Sequence, residues 1–162
     1  MSILFSLAPV HVLSYSFLFG ATTFHSFYSA VVAFKVLPRK EFGILQHHIL
    51  GPYFIAQSIA PIIIGLTAPY TIPTFGLVSL GISSLGGLIN NFYTLPVSRK
   101  IKADKEALLE SNGNVETEEV KTLAKRFGKV HGMSMLINVI SIVSLTAYGF
   151  VLTSGLIKFI PK

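Results

Sequence analysis

Apolar residues run through this chain in three uninterrupted tracts, and the charged residues are confined to the seams between them. Residues 1–34, 42–98 and 130–157 contain no Asp, Glu, Lys or Arg. A charge at the centre of a membrane helix costs ~2.5–3.5 kcal/mol on insertion scales, so avoidance over such lengths reads as burial in a bilayer. A spanning helix takes ~20 apolar residues, and the middle tract is long enough for two with a turn between them. The pattern predicts an all-α integral membrane four-helix bundle in a single domain, with spans at about 8–34, 50–70, 74–95 and 132–157. Pro69 and Pro73, with no charge near them, mark a tight turn between the middle spans. Cytosolic loops are expected at 35–49 and 96–131. The second of these has helical character at 103–109 and 120–127, broken at Ser111-Asn112-Gly113-Asn114.

Charge fixes the orientation expected. With four spans, both charged loops lie on one side and hold all but Lys158 and Lys162 of the 13 Lys and Arg residues. The positive-inside bias then puts the loops in the cytosol and both termini away from it. Hydrophobic residues at 51% and charged ones at 12%, about half the ordinary charged share, agree with a membrane class and leave no room for a soluble catalytic module. The first tract has neither the basic leader of a signal peptide nor the Arg-rich pattern of a mitochondrial presequence, so an uncleaved first helix is expected. The mitochondrial outer membrane suits that best, the endoplasmic reticulum second. The chain has no Cys, which excludes disulfides, thiolate metal sites and lipidated Cys anchors.

Candidate chemistry comes from polar residues inside the spans. Ser16, Gly20 and Thr23 on the first, Ser79, Ser83, Gly87 and Asn91 on the third, and His131, Ser134, Asn138 and Ser141 on the fourth recur at helical spacing. Such stripes are commonly packing glue. Position along the membrane normal suggests more: Thr23, His25, Ser26, Gln57, Asn91, His131, Ser134 and Asn138 are expected to converge on a polar pocket in the cytosolic half. Gln57 lies four residues before Pro61, which removes the helical donor to its carbonyl. No carboxylate occurs in any span, which argues against a proton relay, a cation site or a hydrolase triad. His47-His48 point to different helix faces and make a poor metal pair. Haem ligation by His25 and His131 carries little weight without a haem motif. No metal, no other cofactor and no nucleic acid are expected.

Outside the spans, Lys121, Lys125 and Lys129 line one helix face at four-residue spacing, and Arg39 and Lys40 adjoin the first span. These are candidate lipid-headgroup or partner contacts, at ~1 kcal/mol per basic residue near an anionic surface. Glu116, Glu118 and Glu119 dilute that charge, which favours a solvated lead-in to the fourth span.

Four blocks carry a family resemblance: Gly20-Ala21-Thr22-Thr23-Phe24-His25-Ser26-Phe27, then Lys35-Val36-Leu37-Pro38-Arg39, then Phe42-Gly43 with Leu45-Gln46 and Tyr53-Phe54, and last Arg126-Phe127-Gly128-Lys129-Val130-His131-Gly132 with Ser134, Leu136 and Asn138. In this order and spacing, over about 16–148, the chain resembles the family of transmembrane protein 205, its fungal branch in particular. It departs after the third-span Asn, where Leu95-Pro96-Val97-Ser98 stands in place of that family's acidic and basic pair, so no role for the pair carries over. The resemblance implies a four-helix integral membrane protein of the mitochondrial outer membrane or endoplasmic reticulum, with a mammalian relative associated with platinum-drug tolerance and trafficking. It implies no enzyme, and it raises His131, Gly132, Ser134, Asn138, Leu37-Pro38-Arg39 and Gln46 as positions to test.

The expected function is that of a non-catalytic multi-pass protein binding a lipid or a partner membrane protein, such as a lipid-synthesis enzyme, and so modulating phospholipid metabolism. The alternative is an oligomeric small-solute transporter or pore subunit.

Overall fold

The computed structural model describes residues 6–158, so Lys162 lies outside the described residues. It consists of four helical rods: α1 (Ala8–Val36), α2 (Arg39–Leu66), α3 (Thr74–Ser111) and α4 (Glu118–Ile157), each long and apolar enough to cross a membrane. No strand occurs among the described residues. Proline sets most of the ends. Pro9 stands in the first turn of α1, where its missing N–H costs nothing. Leu37 is extended, φ −95° and ψ 143°, as a residue before proline prefers. Pro38 and Pro73 then precede the first residues of α2 and α3. Gly113 and Asn114, at φ +64° and +65°, reverse the chain between α3 and α4, a conformation that glycine and asparagine tolerate best. Thr117 caps α4 by accepting from the Val120 N–H, and Glu118 and Glu119 follow in the first turn, where the helix dipole favours them.

The segment at 35–49, expected as a loop, is mostly helix: α2 starts at Arg39 and ends at Leu66 rather than near Tyr70. Leu37 and Pro38 alone break the rod, and Pro38 favours rather than forbids the helix that it precedes. The segment at 96–131 is also largely helical. α3 and α4, at ~1.5 Å per residue, are nearly twice the ~30 Å hydrocarbon thickness, so they leave the membrane together as a helical hairpin. Ile101 and Val120 are buried within that hairpin.

α3 packs along α2 and α4, whereas α1 leans chiefly on α2. Only 11% of the most apolar window of α1 is buried, against 28–39% for the other three, so α1 is the peripheral member. The core gathers Leu18, Ile64, Leu80, Leu145, Tyr148 and Leu152. α2 and α3 approach backbone to backbone at Gly87, where an added Cβ would lie 2.7 Å from the Ser58 nitrogen. Beside it the Ser84 hydroxyl donates to the Ser58 carbonyl at 2.6 Å. Small residues permit that approach, and in a bilayer such packing replaces the hydrophobic drive that water would supply.

Candidate functional site

Asn138, on α4, is the hub of a polar cluster that joins three helices. Its Nδ2 donates to Ser26 Oγ of α1 at 2.8 Å, and its Oδ1 accepts from Tyr53 OH at 2.8 Å and Gln57 Nε2 at 3.1 Å, both on α2. Ser26 and Tyr53 lie 3.1 Å apart. Tyr53 has one hydroxyl proton, which goes to Asn138, so Ser26 donates to Tyr53 and the three side chains close a ring in which each donates once. His25 sets its ring 5.0 Å from that of Tyr53, with Gln46 against its imidazole. Gln46, Tyr53 and Gln57 fall within about 40° of one another around α2, at 3.6 residues per turn. Gln57 is fully buried and its Oε1 has no partner among the described residues. The ring itself is only half-buried, so it borders the surface of the bundle at the seam of α1 and α4.

Two irregular turns flank this level. A π turn at His25–Ser29 interrupts α1 and another at Asn90–Thr94 interrupts α3. Each widens the helix by one residue, a feature often found at functional sites.

The structure thus brings together Ser26, Gln57 and Asn138 with His25 beside them, and leaves the other four expected members outside. Thr23 returns its hydroxyl to the Phe19 carbonyl of its own helix at 2.6 Å, the usual fate of a threonine in an apolar helix. The Asn91 side chain makes no hydrogen bond among the described residues, and its buried neighbour Asn90 takes the place, bonding Thr94 Oγ1 at 2.8 Å and the Ser134 carbonyl at 3.3 Å. Ser134 therefore contributes its backbone rather than its side chain. His131 is exposed and stacks on Phe127, one turn back on the same helix, at 5.7 Å. Among the basic candidates, Arg39 lies over the Phe34 ring at 3.9 Å and Lys121 pairs with Glu118 at 2.8 Å. Lys40, Lys125 and Lys129 are exposed.

A second cluster, at the α2–α3 turn, was absent from the expected pocket. His11 is fully buried; its Nδ1 lies 2.8 Å from the Ile64 carbonyl and its Nε2 3.2 Å from Tyr148 OH and 3.3 Å from Tyr70 OH. A carbonyl only accepts, so Nδ1 carries the proton and Nε2 receives one from a phenol. Ile64 is within the last turn of α2, whose carbonyls lack helical donors. His11 therefore caps α2 from α1. The sequence signal was His11 itself, a polar residue within the charge-free first tract; Tyr15, one turn on, bonds the Leu145 carbonyl at 3.1 Å.

Both clusters consist of neutral donors and acceptors. Ser26 contacts Tyr53 and Asn138, neither of which is a base. Among the described residues no three His, Cys, Asp or Glu side chains gather where a metal ion could be held.

The chain is 29% identical over 163 residues to xanthocillin biosynthesis cluster protein D of Aspergillus fumigatus, covering 94% of this chain and 93% of that one. No solved structure matches. These similarities support a membrane-protein family in general and not the narrower kinship with transmembrane protein 205. The family model for a domain of unknown function, DUF4149, matches residues 13–107, more than half of the sequence, and the chain belongs to that family.

Proposed function

We propose that this integral multi-pass protein is a non-catalytic membrane subunit that binds a transmembrane helix of another membrane protein along the seam between α1 and α4. The observation that carries this reading is the half-buried ring of Ser26, Tyr53 and Asn138 at the edge of that seam. Between membrane helices apolar burial contributes little, so association depends on close packing and hydrogen bonds. The seam offers both. Gly128 and Gly132, ten and six residues before Asn138 on α4, have open space where a side chain would stand, and the ring supplies the polar groups. A ring of serine, tyrosine and asparagine with no carboxylate suits holding a partner, the role of a subunit serving an enzyme. A relative named for a biosynthesis cluster fits a membrane protein working beside enzymes, and the expected effect on phospholipid metabolism would follow from such a partner. The mitochondrial outer membrane, then the endoplasmic reticulum, with the basic loops in the cytosol, remains the proposed location. The kinship with transmembrane protein 205 is proposed with it.

The test is photocrosslinking in native membranes from a probe at position 132, with recovered adducts identified by mass spectrometry. Wild type gives a discrete membrane-protein adduct, and Asn138→Leu loses it while remaining inserted. An adduct that persists unchanged in Asn138→Leu ends the reading. The alternative, an oligomeric small-solute transporter, draws on the buried serines Ser58, Ser79, Ser83, Ser84, Ser141 and Ser144, which make the bundle interior polar. Solute flux into liposomes is its measurement.

A further inference from the structure

At the end of the bundle opposite the basic hairpin, a groove of about 570 Å3 opens between the α2–α3 turn and the last turns of α4. Tyr70, Thr71, Pro73 and Phe75 line one side, and Phe150, Val151, Ser154, Gly155 and Lys158 the other. The Tyr70 ring lies against Gly155, where an added Cβ would come within 2.7 Å of three ring carbons, so the inner wall is closed by an aromatic face. Phe75 and Phe150, 62% and 73% exposed, stand at the lipid-facing mouth.

Tyr70 turns its hydroxyl inward to His11 and Tyr148, whereas two hydroxyls and an ammonium of this groove have no acceptor among the described residues. Thr71 and Ser154 make no side-chain hydrogen bond and Lys158 no ion pair among the described residues. Nor does the sequence supply a carboxylate side chain nearby, since every Asp and Glu lies between Glu41 and Glu119, at the other end of the bundle. An ammonium and two hydroxyls above an apolar slot complement a ligand with clustered anionic oxygens and a hydrocarbon tail. We infer that the groove holds an anionic phospholipid of the adjacent leaflet, its phosphodiester against Lys158, Thr71 and Ser154 and one acyl chain between Phe75 and Phe150. Phosphate suits this set because each of its oxygens accepts and a lysine contributes a point charge. Phe75 and Phe150 are aromatic anchors at the depth where a chain leaves its headgroup. This site lies at the opposite end from the Asn138 ring and does not depend on the partner-helix reading.

Native mass spectrometry of the detergent-purified protein, after exchange from vesicles of mixed phosphatidylglycerol and phosphatidylcholine, tests it. Wild type is expected to retain phosphatidylglycerol about fivefold over phosphatidylcholine, the ratio that ~1 kcal/mol for one basic residue gives. Lys158→Glu is expected to remove or invert that preference, and Ser154→Phe, which fills the slot, to lower retention of both lipids. Each position is exposed, and an unchanged melting temperature shows that the variants fold. Equal retention of the two lipids by wild type, or an undiminished preference in Lys158→Glu, overturns the inference. So does displacement of the bound lipid by millimolar inorganic phosphate, which would assign the site to a free anion. The crosslink from position 132 is expected to survive Lys158→Glu, so the two proposals fail separately.

Discussion

Single side chains decide the site through their hydrogen-bond inventory. Asn138→Leu removes the hub and leaves Ser26, Tyr53 and Gln57 facing an apolar group, which costs ~1–3 kcal/mol per stranded polar group before relaxation. Because leucine partitions into a bilayer better than asparagine, the variant is expected to insert fully and yet melt several degrees lower in detergent. Failure to accumulate in membranes would instead make Asn138 a requirement for folding. Glycines give a sharper contrast. Gly87→Ala places a methyl against the Ser58 backbone, which cannot swing aside, and an overpacking cost of ~1–3 kcal/mol is expected. Gly132→Ala meets no atom within 4 Å and is expected to hold or raise the melting temperature, since alanine favours helix by ~1 kcal/mol over glycine, while weakening partner crosslinking. Much of this was legible in the sequence. Ser26, Gln57 and Asn138 announced themselves as polar residues in apolar tracts. Tyr53 and Tyr148 did not, because a tyrosine in a span is ordinary until a partner is known for its hydroxyl.

Helix phase explains why Asn91 misled where Asn90 is used. Steps of four residues advance 400°, so the stripe from Ser79 through Ser83 and Gly87 has drifted about 120° by Asn91, whereas eleven residues from Ser79 return Asn90 to within about 20°. Spacing by four looks regular on paper and spirals away from the interface in space. The π turn at Asn90–Thr94 then inserts an extra residue and re-aims the rest of α3, so that Thr94 and Leu95 stay buried despite Pro96. No sequence rule marks that turn. A π turn is one residue longer than the α-helical path it replaces. Deleting Asn91 is therefore expected to close it into α-helix while keeping Leu95 and Ile101 in register, with wild-type helicity by circular dichroism and correct insertion. Deleting Leu85 from regular helix shifts everything beyond it by about 100° and is expected to abolish folding. Equal damage from both deletions would remove the π turn's special standing. Proline reads more reliably: Pro73 marked the turn before α3, whereas Pro38, not used as a boundary, starts α2 at Arg39 and turned the expected 35–49 loop into its first turns.

At the scale of the whole molecule, charge asymmetry and helix packing make independent statements about one topology. The seven acidic residues and all but two basic ones gather at the end where α3 and α4 project as a hairpin; the α2–α3 turn and Lys158 occupy the other. Hydrocarbon lies between because no stretch within it carries a charge whose burial would have to be offset. The absence of native Cys makes this arrangement directly measurable. Gly113→Cys, in the turn of the hairpin, and Thr71→Cys, in the α2–α3 turn, are both exposed positions that no core contact restrains. In intact organelles a membrane-impermeant maleimide coupled to a polymer too large for outer-membrane channels is expected to label Gly113→Cys at once and Thr71→Cys only after the membrane is opened. Labelling of both from one side would mean that α3, the rod joining the two turns, does not cross the bilayer, and the bundle would have to be redrawn. The reverse order, Thr71→Cys labelled first, would preserve four crossings and invert the molecule, moving the basic hairpin and the Asn138 ring to the lumenal half and the groove of Lys158 to the cytosolic leaflet. Packing alone is indifferent to that inversion; the lysines and arginines are what choose between the two.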